Sequence, residues 1–242
     1  MGIYESGVRK VLRGAMQIAE ARIAHTGMLG GATPGAGNGR SVLLVHGYGN
    51  NSSSMKAVRE SLTRDGFGVQ TIDLPNFGYG DLMQDAALVG QRVRQMHAAN
   101  GGAPVHVLGH SRGGVVARAW KQLLDGGHTT GRVVTVSSAN QGLHLGKLDS
   151  LLSPVLPQGM QQIRRGSDII RRLEQAPPAD IVGVGTAGFD GVLAPASAAR
   201  IPGMPFRAVD EGRTVGPFSR LGHWGILRDD AAYEAIRGAL LV

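Results

Sequence analysis

The sequence predicts an α/β fold: a mostly parallel, doubly wound sheet with a helical cap insertion. Three observations predict it. Short apolar runs alternate with longer amphipathic stretches from residue 41 onwards, the pattern of repeated βαβ units. Glycine occurs 38 times, which suits tight strand-to-helix turns and close backbone contacts. Hydrophobic residues make up 42% of the chain and charged residues only 18%, enough apolar matter for a sizeable core and too little charge for wholesale disorder.

The elements follow in order. Residues 3–24 carry apolar positions at helical spacing, among them Val8, Val11, Leu12, Met16, Ala19 and Ile23. They read as an amphipathic helix packed on the body, with a helix lying on a membrane surface as the alternative. Residues 29–40 form a Gly-rich linker. The segment 1–40 thus stands apart from a single domain over 41–242. Within that domain SVLLVH (41–46) reads as a buried strand and Ser52–Arg64 as a helix opened by capping-type serines. Strands are expected over Gly68–Leu74, Pro104–Leu108, Arg132–Ser137 and Ala179–Thr186. Helices are expected over Leu82–Ala99, Gly113–Leu124 and Asp229–Leu241. The stretch 139–178 breaks the alternation and reads as the cap insertion. Its apolar residues run from Leu143 through Leu145, Leu148, Leu151 and Leu152 to Ile163.

Composition removes several classes of function. There are no cysteines, so disulfides, zinc–thiolate sites and a Cys nucleophile are excluded. The formal charge of +7 comes from scattered basic residues without a nucleic-acid-binding motif. It reads as a solvated surface, with no nucleic-acid partner. No stretch is apolar enough to span a bilayer. No secretory signal is visible, which predicts a cytoplasmic protein, or a secreted one if a signal has been removed.

The strongest local signal is Gly109-His110-Ser111-Arg112-Gly113, a G-x-S-x-G between an apolar strand and a helix. A sharp strand-to-helix turn forces its central residue into a strained conformation. Gly109 and Gly113 lack the Cβ that would keep strand and helix apart. Ser111 Oγ then stands above the sheet at a helix N-terminus, as a candidate nucleophile. His46-Gly47-Tyr48-Gly49 follows the first core strand, the place from which folds of this kind draw a second oxyanion donor. The candidate donors are the backbone N–H groups of Tyr48 and Arg112. His46 precedes the serine and reads as a brace for its loop. His223 follows the serine near the C-terminus and no other His follows His144, so it is the candidate base in the order Ser, acid, His. Asp190, after the fifth strand, is the candidate acid, with Asp210 as the other option. Asp180 comes too early in its strand.

These segments resemble bacterial lipases and esterases of the α/β-hydrolase superfamily, especially the small actinobacterial and Bacillus type. VLLVHGYGNNSSSM resembles their oxyanion segment, and VHVLGHSRGGVVAR their elbow, with Arg112 where Met is common. IVGVGTAGFDGVLAP resembles the acid-bearing strand and loop, and GHWGIL the base-bearing loop. The resemblance runs in order over residues 41–242. It implies hydrolysis of carboxylic esters through an acyl-enzyme, with no cofactor and no metal. It carries over Ser111, Asp190 and His223 as triad, and Tyr48 and Arg112 as oxyanion donors. The expected partner is a small-molecule or lipid ester, with peripheral contact with a lipid surface left open. The same scaffold hosts amidases, thioesterases and peptidases, and it could serve as a non-catalytic binding module. Two stretches depart from the pattern. Residues 137–142 read SSANQG in place of the usual Thr-Pro-His segment. The stretch between Phe206 and His223 is longer than the short strand expected there.

Overall fold

The computed structural model describes residues 40–125, 129–144, 156–186, 190, 192–193, 196–209 and 222–241. The helix and linker expected over 1–40 lie outside them, apart from Arg40. So do Asp210 and residues 145–155 of the insertion.

Among the described residues six strands form one sheet: β1 (Ser41–Val45), β2 (Gly68–Ile72), β3 (Val105–His110), β4 (Thr130–Val136), β5 (Ile181–Gly185) and β6 (Phe206–Ala208). Their spatial order is β2-β1-β3-β4-β5-β6, and every pairing is parallel. The chain steps from β1 outwards to β2, then returns to β3 and proceeds the other way. The order therefore reverses between β1 and β3, the switch point beyond whose strand carboxyl ends open α/β sheets bind their ligands. The loops leaving them begin at His46 and Ser111.

The α-helices among the described residues are α1 (Lys56–Arg64), α2 (Leu82–Ala99), α3 (Arg112–Ala119), α4 (Gln158–Gln162), α5 (Asp168–Gln175) and α6 (Asp230–Leu241). Side chains of successive strand residues point to opposite faces, and both faces of this sheet are apolar. Leu43, Val45, Val105 and Val107 join Val89 and Val93 of α2 and Val115 and Val116 of α3. Val42, Leu44, Leu108 and Val134 join Val58 and Leu62 of α1 and Ile236 and Leu240 of α6. A sheet covered on both sides needs continuous apolar strands rather than alternating ones, and SVLLV is such a run.

Boundaries shift where side chains compete with the repeat. The helix expected from Ser52 opens with a 3-10 turn, Ser52–Met55, capped by Asn51, whose side chain accepts from the Ser53 N–H. The helix expected over Gly113–Leu124 is α3 followed by a π-helical turn, Trp120–Leu124. Trp120 sits flat on Gly90 of α2, where any Cβ would run into the indole ring. Of the insertion, α4 and α5 are described. Leu143 and Ile163 are core residues on the α2–α3 face, together with Ile169, Ile170 and Leu173 of α5. No helix among the described residues is long and apolar enough to cross a membrane.

Candidate active site

Ser111 is the single residue between β3 and α3. Its backbone sits at φ 55 and ψ −126, a conformation costly for any residue with a Cβ, of order 1–3 kcal/mol. Its surroundings hold it there. The Ser111 N–H donates to the Val136 carbonyl at 2.8 Å, and its own carbonyl accepts from Gly114 at 3.1 Å. The flanking glycines are sterically required. A Cβ on Gly109 would strike the Gly113 carbonyl, and one on Gly113 would strike the carbonyls of Val45 and His46.

His223 lies beside Ser111, although 112 residues separate them in the chain. Its backbone is pinned from both sides. Its N–H donates to the Asp190 carbonyl at 2.7 Å, and its carbonyl accepts from His110 Nε2 at 2.7 Å. The ring then spans two partners. Asp190 Oδ2 lies 2.9 Å from Nδ1, and Ser111 Oγ lies 2.9 Å from Nε2. An ionised carboxylate only accepts, so Nδ1 carries the proton and Nε2 is left to accept from the Ser111 hydroxyl. Asp190 and His223 are 2% and 3% exposed, so water competes little for these bonds.

Asp190 is itself oriented. Its Oδ1 accepts from the N–H groups of Val192 at 2.9 Å and Leu193 at 2.6 Å, leaving Oδ2 for the imidazole. Burial alone would push this carboxyl up. The bond and charge of His223 and the two backbone donors outweigh it and hold the carboxyl below its ordinary range.

Gly47 packs against Ser111, and a Cβ on it would lie 3.0 Å from Ser111 Cβ. Tyr48 is the next residue. Arg112 is the first residue of α3, so its N–H has no acceptor within the helix. His46 braces this loop as expected. Its Nε2 accepts from the Leu74 N–H at 2.9 Å, and its Nδ1 donates to the Gly47 carbonyl at 2.8 Å. Asp180 pairs with Arg132 at 2.7 Å, at the far end of β5 from the site.

In place of Thr-Pro-His, the 137–142 segment makes a polar corner after β4. Ser137 adopts φ 45. Asn140 donates to Thr135 Oγ1 at 3.0 Å and to the Ala199 carbonyl at 2.7 Å. Its own carbonyl accepts from the buried Arg118 at 2.6 Å. The basic residues are thus not all a solvated surface, since Arg112 and Arg118 are each 1% exposed.

Two contributors were missed in the sequence. One is the Arg112 side chain, which forms a buried ion pair with Asp85 of α2 at 2.6 Å. The other is His110, whose ring lies 5.0 Å from that of His223. Burial, reinforced by the neighbouring His223, pushes His110 down to about 3, so it stays a neutral donor. This has a consequence for stability. A histidine titrates near 6.5 when the chain is unfolded. Between there and about 3 the unfolded chain takes up a proton that folded His110 refuses, so stability is present above about 6.5 and is lost as the pH falls. The loss from His110 is on the order of 5 kcal/mol by pH 3. His46, also lowered by burial, acts in the same direction. His110→Gln keeps an N–H donor without a titration. Its melting temperature should fall less steeply than wild type's between pH 6.5 and 4 in calorimetric scans, and equal slopes would exclude His110 as the cause.

Comparison with known proteins agrees with this fold. Residues 40–170, more than half of the chain, match the model of the family described as "alpha/beta hydrolase fold". The chain belongs to that family. Among solved structures, the mature form of a Bacillus licheniformis lipase matches 89% of this chain and 96% of its own, with a TM-score of 0.66 at 16% identity. Lipase B of Aspergillus fumigatus matches at TM-score 0.67 and 16% identity over 86% of this chain, which spans about half (54%) of that protein. A monoacylglycerol lipase of Paleococcus ferrophilus matches at TM-score 0.60 and 15% identity, over 86% of this chain and 95% of its own. At such identities the likeness is one of fold. No curated protein is significantly similar to this α/β hydrolase in sequence.

Proposed function

We propose that this α/β hydrolase cleaves carboxylic esters through an acyl-enzyme, with Ser111 as nucleophile, His223 as general base and acid, and Asp190 as the orienting carboxylate. The observation that carries the reading is the continuous chain from Ser111 Oγ to His223 to Asp190, with 2.9 Å at each step. His223 Nε2 takes the hydroxyl proton as Oγ attacks the ester carbonyl carbon. The N–H groups of Tyr48 and Arg112 receive the charge on the tetrahedral oxygen, at about 3 kcal/mol for each donor. When the intermediate collapses, the alkoxide leaves with the proton from His223. A water molecule repeats the sequence on the acyl-enzyme, releases the acid and restores Ser111. Asp190 keeps its negative charge throughout and holds the imidazole in the tautomer that accepts at Nε2. The lipases among the structural neighbours support an ester as substrate.

A fluorophosphonate probe tests the reading directly. It should add to the protein once, and mass spectrometry of the digest should place the adduct on Ser111. Hydrolysis of p-nitrophenyl esters without such an adduct would put the chemistry elsewhere.

The substrate extends the reading. The insertion leaves the sheet after β4, at the carboxyl end where Ser111 stands, and it is rich in leucine. We infer a preference for medium or long acyl chains. Each methylene removed from water contributes roughly 0.8 kcal/mol, about a four-fold gain in kcat/KM. In a p-nitrophenyl series kcat/KM should therefore climb from acetate to octanoate. A maximum at acetate or butyrate would make this a short-chain esterase.

A further inference from the structure

We propose that Asp85 is a positioning residue for the oxyanion hole, acting through the side chain of Arg112. The inference rests on the reading of Ser111 as nucleophile and adds a residue to its machinery. Arg112 has two functions in two parts. Its backbone N–H opens α3 directly after Ser111, while its guanidinium runs under the neighbouring loop. There Nη1 binds Asp85 Oδ2 at 2.6 Å and Nη2 donates to the Gly80 carbonyl at 2.9 Å. Both charged side chains are almost wholly buried, with 0% of Arg112 and 3% of Asp85 accessible. A buried cation of this kind holds one position only while its anion is present.

The loop it holds is the one that supports the second donor. Asn76, Phe77 and Gly78 are consecutive residues in the left-handed region, at φ 48, 53 and 74. Two of them carry a Cβ, so the loop needs outside support to keep that shape. Arg112 supplies it from below, where a Cβ on Gly78 would lie 3.4 Å from Nη1. The loop in turn grips the segment carrying Tyr48. The Gly49 N–H donates to the Phe77 carbonyl at 2.9 Å, and the Tyr79 ring meets that of Tyr48 edge-on at 4.5 Å. One donor therefore sits on the Arg112 backbone, and the other hangs on a loop that the Arg112 side chain clamps. Asp85 anchors the clamp.

A donor displaced by a fraction of an ångström harms the transition state more than the bound ester, because full charge is present on the oxygen only in the former. Asp85→Asn keeps the shape and removes the charge. Its kcat per fluorophosphonate-titrated site should fall about 10- to 100-fold, within the loss known for one missing donor, with KM changed less than about two-fold. A boronic acid, which forms a tetrahedral anion on the serine, should bind more weakly by a similar factor. A second variant separates positioning from folding. Asp85→Leu combined with Arg112→Met replaces the buried pair by apolar side chains, a change that is often neutral or stabilising, and it keeps the backbone N–H. It should melt no lower than wild type and still show the reduced kcat. The proposal is overturned if titrated sites of either variant turn over at the wild-type rate, or if only the number of active sites falls. Ser111→Ala serves as the control for the reading beneath. A Ser111→Ala that still hydrolyses ester defeats that reading, whereas a dead Ser111→Ala beside an unimpaired Asp85→Asn defeats only the role of Asp85.

Discussion

Ser111→Ala is expected to lower kcat for ester hydrolysis on the order of 10⁶-fold, the loss seen when the nucleophile of a serine triad is removed. Alanine supplies no oxygen to attack the carbonyl and none to carry the acyl group, so the covalent route closes. The fold should survive. The Cβ that strains the backbone at φ 55 is present in both residues. What is lost is one hydrogen bond to His223, about 1 kcal/mol. Circular dichroism and thermal melting should therefore superimpose on wild type, and fluorophosphonate labelling should disappear. The remaining donors could still bind a substrate and stabilise attack by water, so a residual rate above the uncatalysed one is compatible with the assignment. Turnover within a factor of ten of wild type is not.

Asp190→Asn is expected to cost on the order of 10⁴ in kcat, and the structure supplies the reason. Asp190 Oδ1 is held by two backbone N–H groups, those of Val192 and Leu193. An asparagine must keep its oxygen there to satisfy them, which turns its NH₂ towards His223 Nδ1. Nδ1 then has to accept rather than donate, so the proton moves to Nε2. The imidazole faces Ser111 with a proton in place of a lone pair, and it cannot act as base. Binding should change far less than turnover, because the substitution leaves the backbone of Tyr48 and Arg112 in place. Asp210→Asn, the option that chain order alone leaves open, should keep kcat near wild type. A larger loss at Asp210 than at Asp190 would transfer the role of the acid.

The two outcomes separate the residues that the chain declares locally from those it does not. The elbow was legible because its constraint is local. A strand, two glycines around a serine and a helix together demand one backbone shape, and the observed φ of Ser111 is that shape. His223 and Asp190 were legible by chain order and by the segments around them, but nothing near them in sequence shows that they meet. A short strand was expected before His223, but the bounds of β6 were not legible. Three residues, Phe206–Ala208, are too few to display a period, and only pairing with β5 makes them a strand. The Asp85–Arg112 pair was invisible for a related reason. Asp85 lies on a helix where an acidic residue usually faces solvent, and its burial depends on an arginine 27 positions away.

The sequence by itself determined the layered α/β architecture, because apolar runs and amphipathic stretches have no other way to bury their faces. It also determined the place and strained shape of the turn that carries Ser111, because such a turn needs glycines at set offsets. The tertiary structure decided which imidazole and which carboxylate join that serine. It also decided that His110 and Asp85 stand behind them. Each of these choices depends on distances between groups far apart in the chain, and such distances come into being only when the sheet brings the carboxyl ends of β1, β3 and β5 to one edge.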